Sequence, residues 1–133
     1  MTITVKDFEV ADYDQDVLQM DLAHGEEEIT IAIHNMDDNL EGLLADVNTI
    51  VSDLQAFDQR GKRLIVDELY DAYCEDGSIT DEAFMQGLNL ISLYFTGDTA
   101  VEFMYEGGDL FGGHFLTIEM ANGQFDDGVC IDG

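Results

Sequence analysis

Apolar and polar residues alternate one for one through the first third of the chain. Ile3 and Val5 alternate with Thr2, Thr4 and Lys6; Leu18, Met20 and Leu22 with Gln19 and Asp21; Ile29, Ile31 and Ile33 with Thr30, Ala32 and His34. A period of two with one polar side predicts strands that bury a single face. His24-Gly25-Glu26 supplies a turn between the second and third runs, because glycine accepts positive φ. The pattern predicts a meander of three antiparallel strands.

The period then changes. Leu40, Leu43, Leu44, Val47, Ile50, Val51 and Leu54 step by three and four, while Asp38, Glu41, Asp46 and Asp53 fall off that stripe. This is the signature of an amphipathic helix. Asp58 rotates back onto the apolar stripe, so the helix is expected to end near Phe57. Residues 59–62 then form a junction, and a second helix spans residues 62–74. Further on, Thr80 is placed to cap a short helix with Asp81 and Glu82 in its first turn, ending at Gly87.

Strand chemistry returns over residues 88–95, 100–105, 114–120 and 128–131. In the third of these, Phe115, Thr117 and Glu119 lie on one side and Leu116, Ile118 and Met120 on the other. Asn122-Gly123 is a hairpin signal. Strands are segregated from helices along the chain, which predicts an α+β fold. The expected architecture is an antiparallel sheet of N-terminal and C-terminal meanders packed against two or three central helices. Neither a linker nor a repeat divides it, so residues 1–133 read as a single domain.

Charge changes the picture more than composition does. Thirty Asp and Glu face four basic residues, for a formal net charge of −26. The four are Lys6, Arg60, Lys62 and Arg63. A hydrophobic fraction of 46% is ordinary for a folded domain, so the acidity does not signal disorder. Self-repulsion of this size opposes folding. Its uses are solubility at high salt or attraction to a strongly positive partner. Nucleic acid and anionic membranes carry the same sign, which excludes them as unaided partners. The N-terminus has no apolar run behind a basic patch and no stretch is long enough to span a bilayer, so a cytoplasmic location is expected. Cys74 and Cys130 are too few for a disulfide framework.

Local motifs offer little chemistry. Residues 76–82 resemble the middle of a calcium-binding EF-hand loop. Setting Gly77 at the sixth position, however, puts Ala72, Cys74 and Ala83 where oxygen ligands are required. His24, His34 and His114 have no metal-ligand spacing, and no nucleophile elbow is present. Neither an enzyme nor a cofactor is expected, and the catalytic and metal assignments are none. Two other readings stay open: a divalent-metal-binding module, and a small carboxylate/His enzyme built around His114. Carboxylate clusters stand out instead. Asp12, Asp14 and Asp16 alternate; Glu26, Glu27 and Glu28 are consecutive; Glu75 with Asp76 and Asp126 with Asp127 form pairs.

The C-terminal stretch YEGGDLFGGHFLTIEMANGQFDDGVCIDG, together with VLQMDLAHGEEEITIAIHN near the N-terminus, resembles small, acidic, uncharacterised bacterial cytoplasmic domains. Domains of this look occur among immunity proteins of polymorphic toxin systems, including contact-dependent growth inhibition. The resemblance implies a non-enzymatic protein that neutralises a cationic toxin domain, typically a nuclease. The electropositive cleft of a nuclease attracts phosphates. An acidic surface that fills the cleft stands in for the nucleic-acid backbone. The ten carboxylates just named are the expected partner-binding positions, with Tyr13, Tyr73 and Phe125 as candidate aromatic anchors.

Overall fold

The structure, a computed structural model, describes residues 3–24, 27–34, 40–73, 80–95, 100–107, 115–121 and 124–132. Strands β1 (Glu9–Ala11), β2 (Asp14–His24) and β3 (Glu27–His34) come first. Helices α1 (Leu40–Ser52), α2 (Leu54–Tyr73) and α3 (Asp81–Gln86) follow. Strands β4 (Asn89–Phe95), β5 (Ala100–Glu106), β6 (Phe115–Ala121) and β7 (Gln124–Asp132) complete the order. All seven strands form one sheet in sequence order. The two meanders are antiparallel and are joined where β3 and β4 run parallel, Ile31 beside Leu93. The helical segment is the crossover that such a parallel pair requires. The α+β architecture expected from the sequence is therefore the one observed.

Each meander buries alternate residues. Ile29, Ile31 and Ile33 of β3, Val101, Phe103 and Tyr105 of β5, and Leu116, Ile118 and Met120 of β6 share one core with Leu43, Val47 and Ile50 of α1. In β4 the register shifts between Leu90 and Ser92. That one-residue bulge lets Leu90 and Leu93 both face the core across a three-residue step. Thr80 caps α3 as expected, its hydroxyl accepting the Ala83 N–H at 3.1 Å.

Three elements differ from expectation. Ile3 and Val5 do not form a strand. One side-chain amide, Asn48 of α1, serves both backbone groups of Ile3: Oδ1 accepts its N–H at 2.7 Å and Nδ2 donates to its carbonyl at 2.9 Å. A 3-10 turn over Val5–Asp7 follows, closed by the Thr4 N–H donating to the Asp7 carboxylate at 2.9 Å. The first strand is instead the short β1. Second, the last strand begins at Gln124, so Asp126 and Asp127 belong to it.

The third difference concerns the helix boundary. α1 ends at Ser52, and the chain turns within one residue: the Asp53 N–H donates to the Ile50 carbonyl, and its own carbonyl accepts from Phe57. α2 then runs straight through both Asp58 and Gly61. Leu54, Asp58, Gly61 and Ile65 form its buried stripe. Asp58, only 4% exposed, is accommodated because the Tyr105 hydroxyl donates to its carboxylate at 3.0 Å and Lys62 lies 3.5 Å from its other oxygen. Gly61 is needed because a Cβ there would sit 2.6 Å from the Tyr105 hydroxyl and 2.9 Å from Ile118 Cδ1. The fold thus places a carboxylate where the apolar pattern forbids one, and supplies its partner from β5.

Burial foremost, then the adjacent Asp58 charge, raises the Tyr105 pKa far above that of an ordinary phenol. The folded state therefore holds the proton after the unfolded chain has released it. Stability from this group is complete below about pH 10, the ordinary tyrosine value, and is lost as pH rises beyond it. Replacing Tyr105 with Phe removes a hydrogen bond to a buried carboxylate. In urea unfolding it is expected to cost about 1–3 kcal/mol at neutral pH, and to flatten the decline in stability above pH 10. A variant as stable as the parent would disprove the role given to this contact. Gly61→Ala should also destabilise, by about 1–3 kcal/mol of overpacking, although alanine is the better helix former. A gain in melting temperature would show that α2 is not seated against Tyr105 as described.

Candidate anionic interface

The sheet has two unlike faces. One carries the core. On the other, the pairing register aligns Glu9, Gln19, Ala32, Tyr94, Glu102 and Glu119 in one row across the strands. A second row holds Asp21, Thr30, Ser92, Met104, Thr117 and Cys130. Glu28 lies opposite Ala23, and Glu106 opposite Phe115. Of these carboxylates, Glu102 is half-buried and the rest are exposed. The Thr30 hydroxyl donates to Asp21 across β2 and β3 at 3.2 Å. Apolar groups punctuate the face: Phe115 is 40% exposed, Met104 is half-buried, and His34 packs edge-on against Tyr94 at 6.3 Å. A small cluster of Ala11, Val17 and Ala32 sits where β1 folds over the near end.

No lysine or arginine lies in any strand. Lys6 is in the 3-10 turn, and the other three are on α2. Those three are held by neighbours. Lys62 pairs with Asp58. Arg63 pairs with Asp67 at 2.9 Å and reaches Asp81 of α3 at 3.5 Å; its hydrogen bond to Asp67 is the main cause of its raised pKa. The Arg60 guanidinium lies over Phe57 and over Phe125 of β7, at 5.4 and 5.7 Å from the ring centroids. The cations therefore tie α2 to α3 and to β7, and the outer face of the sheet receives none. Carboxylates are not confined to that face: the helices and the turn between α1 and α2 expose Glu41, Asp46, Asp53, Asp67, Glu68 and Glu82.

Among the carboxylates singled out by clustering in the sequence, those whose side chains are described lie apart. Asp12, in the β1–β2 turn, and Asp16 of β2 are exposed at one end of that strand, and Glu28 is exposed near its other end. Asp16 and Ala23, the partner of Glu28, are seven residues apart, about 23 Å along a strand. Asp14 and Glu27 lie on β2 and β3, and Asp126 and Asp127 on β7, five strand spacings from β2; the placement of these four side chains lies outside the described residues. So do Glu26, Glu75 and Asp76, along with residues 76–79 of the EF-hand-like stretch, His114 and Cys74. The described candidates, Asp12, Asp16 and Glu28, lie towards opposite ends of β2. The residues that share the outer face of the sheet, Glu9, Asp21, Glu102, Glu106 and Glu119, went unselected because alternation disperses them along the sequence. Their signal was the polar phase of each strand. Of the aromatic candidates, Tyr13 is 73% exposed, whereas Phe125 is half-buried beneath Arg60 and packs against Phe103 at 5.1 Å, and so is not a free anchor. The Tyr73 side chain lies outside the described residues.

Among the described residues no three His, Cys, Asp or Glu side chains converge as a metal site, and no helix is long and apolar enough to cross a membrane. No curated protein and no solved structure matches the chain. A family model described as "Uncharacterized protein conserved in bacteria (DUF2262)" matches residues 10–127, a span that runs from β1 into β7. The chain belongs to that bacterial family.

Proposed function

We propose that this protein is a non-enzymatic immunity protein whose acidic sheet face docks on a cationic toxin domain, in the manner of a nuclease inhibitor acting in the cytoplasm. The observation that carries this reading is the separation of charge. Among the described residues the outer face of the sheet presents six carboxylates without one lysine or arginine, while the cations on α2 are held by neighbours within the helix layer or packed on aromatic rings. Carboxylates distributed over several strands suit a macromolecule better than a small substrate. Carboxylates spaced along neighbouring strands can meet the lysines and arginines that line a phosphate-binding cleft. Tyr94, Met104 and Phe115 supply apolar contacts inside the charged field, where binding energy concentrates. Charge speeds encounter, and the apolar contacts slow release.

The exposed carboxylates of the helix layer, from Glu41 to Glu82, favour a second reading, in which acidity is a coat that keeps the protein dispersed at high salt. Binding kinetics separate the two. The toxin domain encoded beside this protein's gene is expected to bind it 1:1, with an association rate that falls steeply between low and physiological salt. Replacing Glu102, Glu106 and Glu119 together with Gln should slow association about tenfold, while three replacements on the helices, Glu41→Gln, Asp46→Asn and Glu68→Gln, should change it less than about twofold. Failure to bind, or equal sensitivity at both faces, would leave only the coat.

A further inference from the structure

The outer edge of β2 is only partly covered. β1 pairs with Leu18 and Gln19 and, past a register shift, with Asp14. Continuing the register of Glu9 with Gln19 would put Phe8 opposite Met20 and Thr4 opposite His24. The chain does not continue that way. The 3-10 turn at Val5–Asp7 lifts it off the strand, and Asn48 fixes Ile3 to α1. Among the described residues no strand pairs with residues 20–24 on the side away from β3. Among the described residues, about 16 Å of strand edge therefore has no neighbouring strand for its outward backbone groups.

Two hollows flank this edge. One of about 220 Å³ is lined by Asp7, Glu9, Gln19, Met20 and Asp21. The other, of about 390 Å³, lies between Leu22 and Ala23 on one side and residues 51–55 of the α1–α2 turn on the other, Ser52, Asp53 and Gln55 making it largely polar. Asp7, Glu9, Asp21 and Asp53 are all exposed, and the one nearby cation is Lys6. Met20 and Leu22 are on the core side of the strand, and Asp21 and Ala23 on the outer side. A strand added here would therefore meet Met20 and Leu22 on one side, and Asp21 with the neighbouring Glu9 on the other. Charges on an edge also oppose self-pairing. A second copy, carrying the same −26, would set Asp21 and Asp53 against their own kind.

From this we infer that residues 20–24 of β2 accept an extended, basic segment of the partner protein as an eighth strand, with alternating basic and apolar side chains. The inference rests on the reading of a cationic partner and names the part of that partner that is held by main-chain hydrogen bonds. Strand addition draws affinity from the backbone and selectivity from alternate side chains. Here Met20 and Leu22 meet the apolar side chains, and Glu9 and Asp21 receive the basic ones.

The test uses the isotope-labelled full chain and a capped synthetic peptide of about seven residues alternating Lys and Val. Amide hydrogen exchange should slow at least about tenfold at alternate positions within residues 20–24, without comparable slowing elsewhere. N-methylating alternate peptide amides should abolish binding, and the Glu9→Lys, Asp21→Lys double variant should weaken it at least about tenfold. Several results would overturn the inference: no binding at low salt, equal binding of the methylated peptide, protection confined to other surfaces, or protection caused by dimerisation of the chain. A toxin domain that binds without protecting residues 20–24 would also overturn it while leaving the acidic-face reading intact. Peptide protection without any toxin binding would do the reverse.

Discussion

The hydrogen bond between Tyr105 and Asp58 seats the longest helix on the middle of the sheet. α2 approaches β5 closely enough for that contact only because Gly61 has no side chain. Once α2 lies there, Arg60 reaches the ring of Phe125, Lys62 stands beside Asp58, and Arg63 spans to α3. One buried polar contact therefore decides which layer contains three of the four cations in the protein. It also decides which face of the sheet is left to carboxylates. A buried carboxylate is costly unless it is hydrogen-bonded and paired, and both requirements are met by groups that simultaneously fix the helix. Packing and surface electrostatics are in this sense one arrangement.

Much of that fold is legible in the residues themselves. The alternation in residues 115–120 assigns each β6 side chain to its observed face, and the cap at Thr80 is read from a single hydroxyl followed by two acids. What escapes is non-local. Asp58 reads as a helix stop because nothing near it in sequence can satisfy a buried carboxylate; its donor is 47 residues away. Ile3 and Val5 read as strand because their alternation is correct for one, yet Asn48, 45 residues on, takes both backbone groups of Ile3. The parallel junction of β3 and β4 leaves no local mark, since a strand buried on one face looks the same whichever way its neighbour runs.

The candidate interface was legible in sign but not in place. Net charge is a sum over the whole chain and survives any folding, so the sign of the surface follows from composition. Position does not. Runs such as Glu26 to Glu28 attract notice because they are contiguous, yet contiguity concentrates charge at turns and strand ends. A face is built from residues two apart on several strands, and Glu102 and Glu119 become neighbours only when β5 pairs with β6. The uncovered part of β2 is equally invisible in sequence, because it results from a turn that diverts the preceding segment. Together the face and the edge describe an acidic protein in which the positive groups serve internal cohesion and the carboxylates of the sheet look outward.

The central claim is that the surface potential differs between the two layers, and it can be measured residue by residue. Nuclear relaxation enhancements from a cationic and an anionic nitroxide co-solute, compared at the same protons, report the potential near each one. The account predicts the largest excess of cation over anion at the outer-face protons of Glu102, Met104, Thr117 and Glu119, and a smaller excess around Arg60, Lys62 and Arg63. An equal excess over both layers, or a larger one over α2, would contradict it.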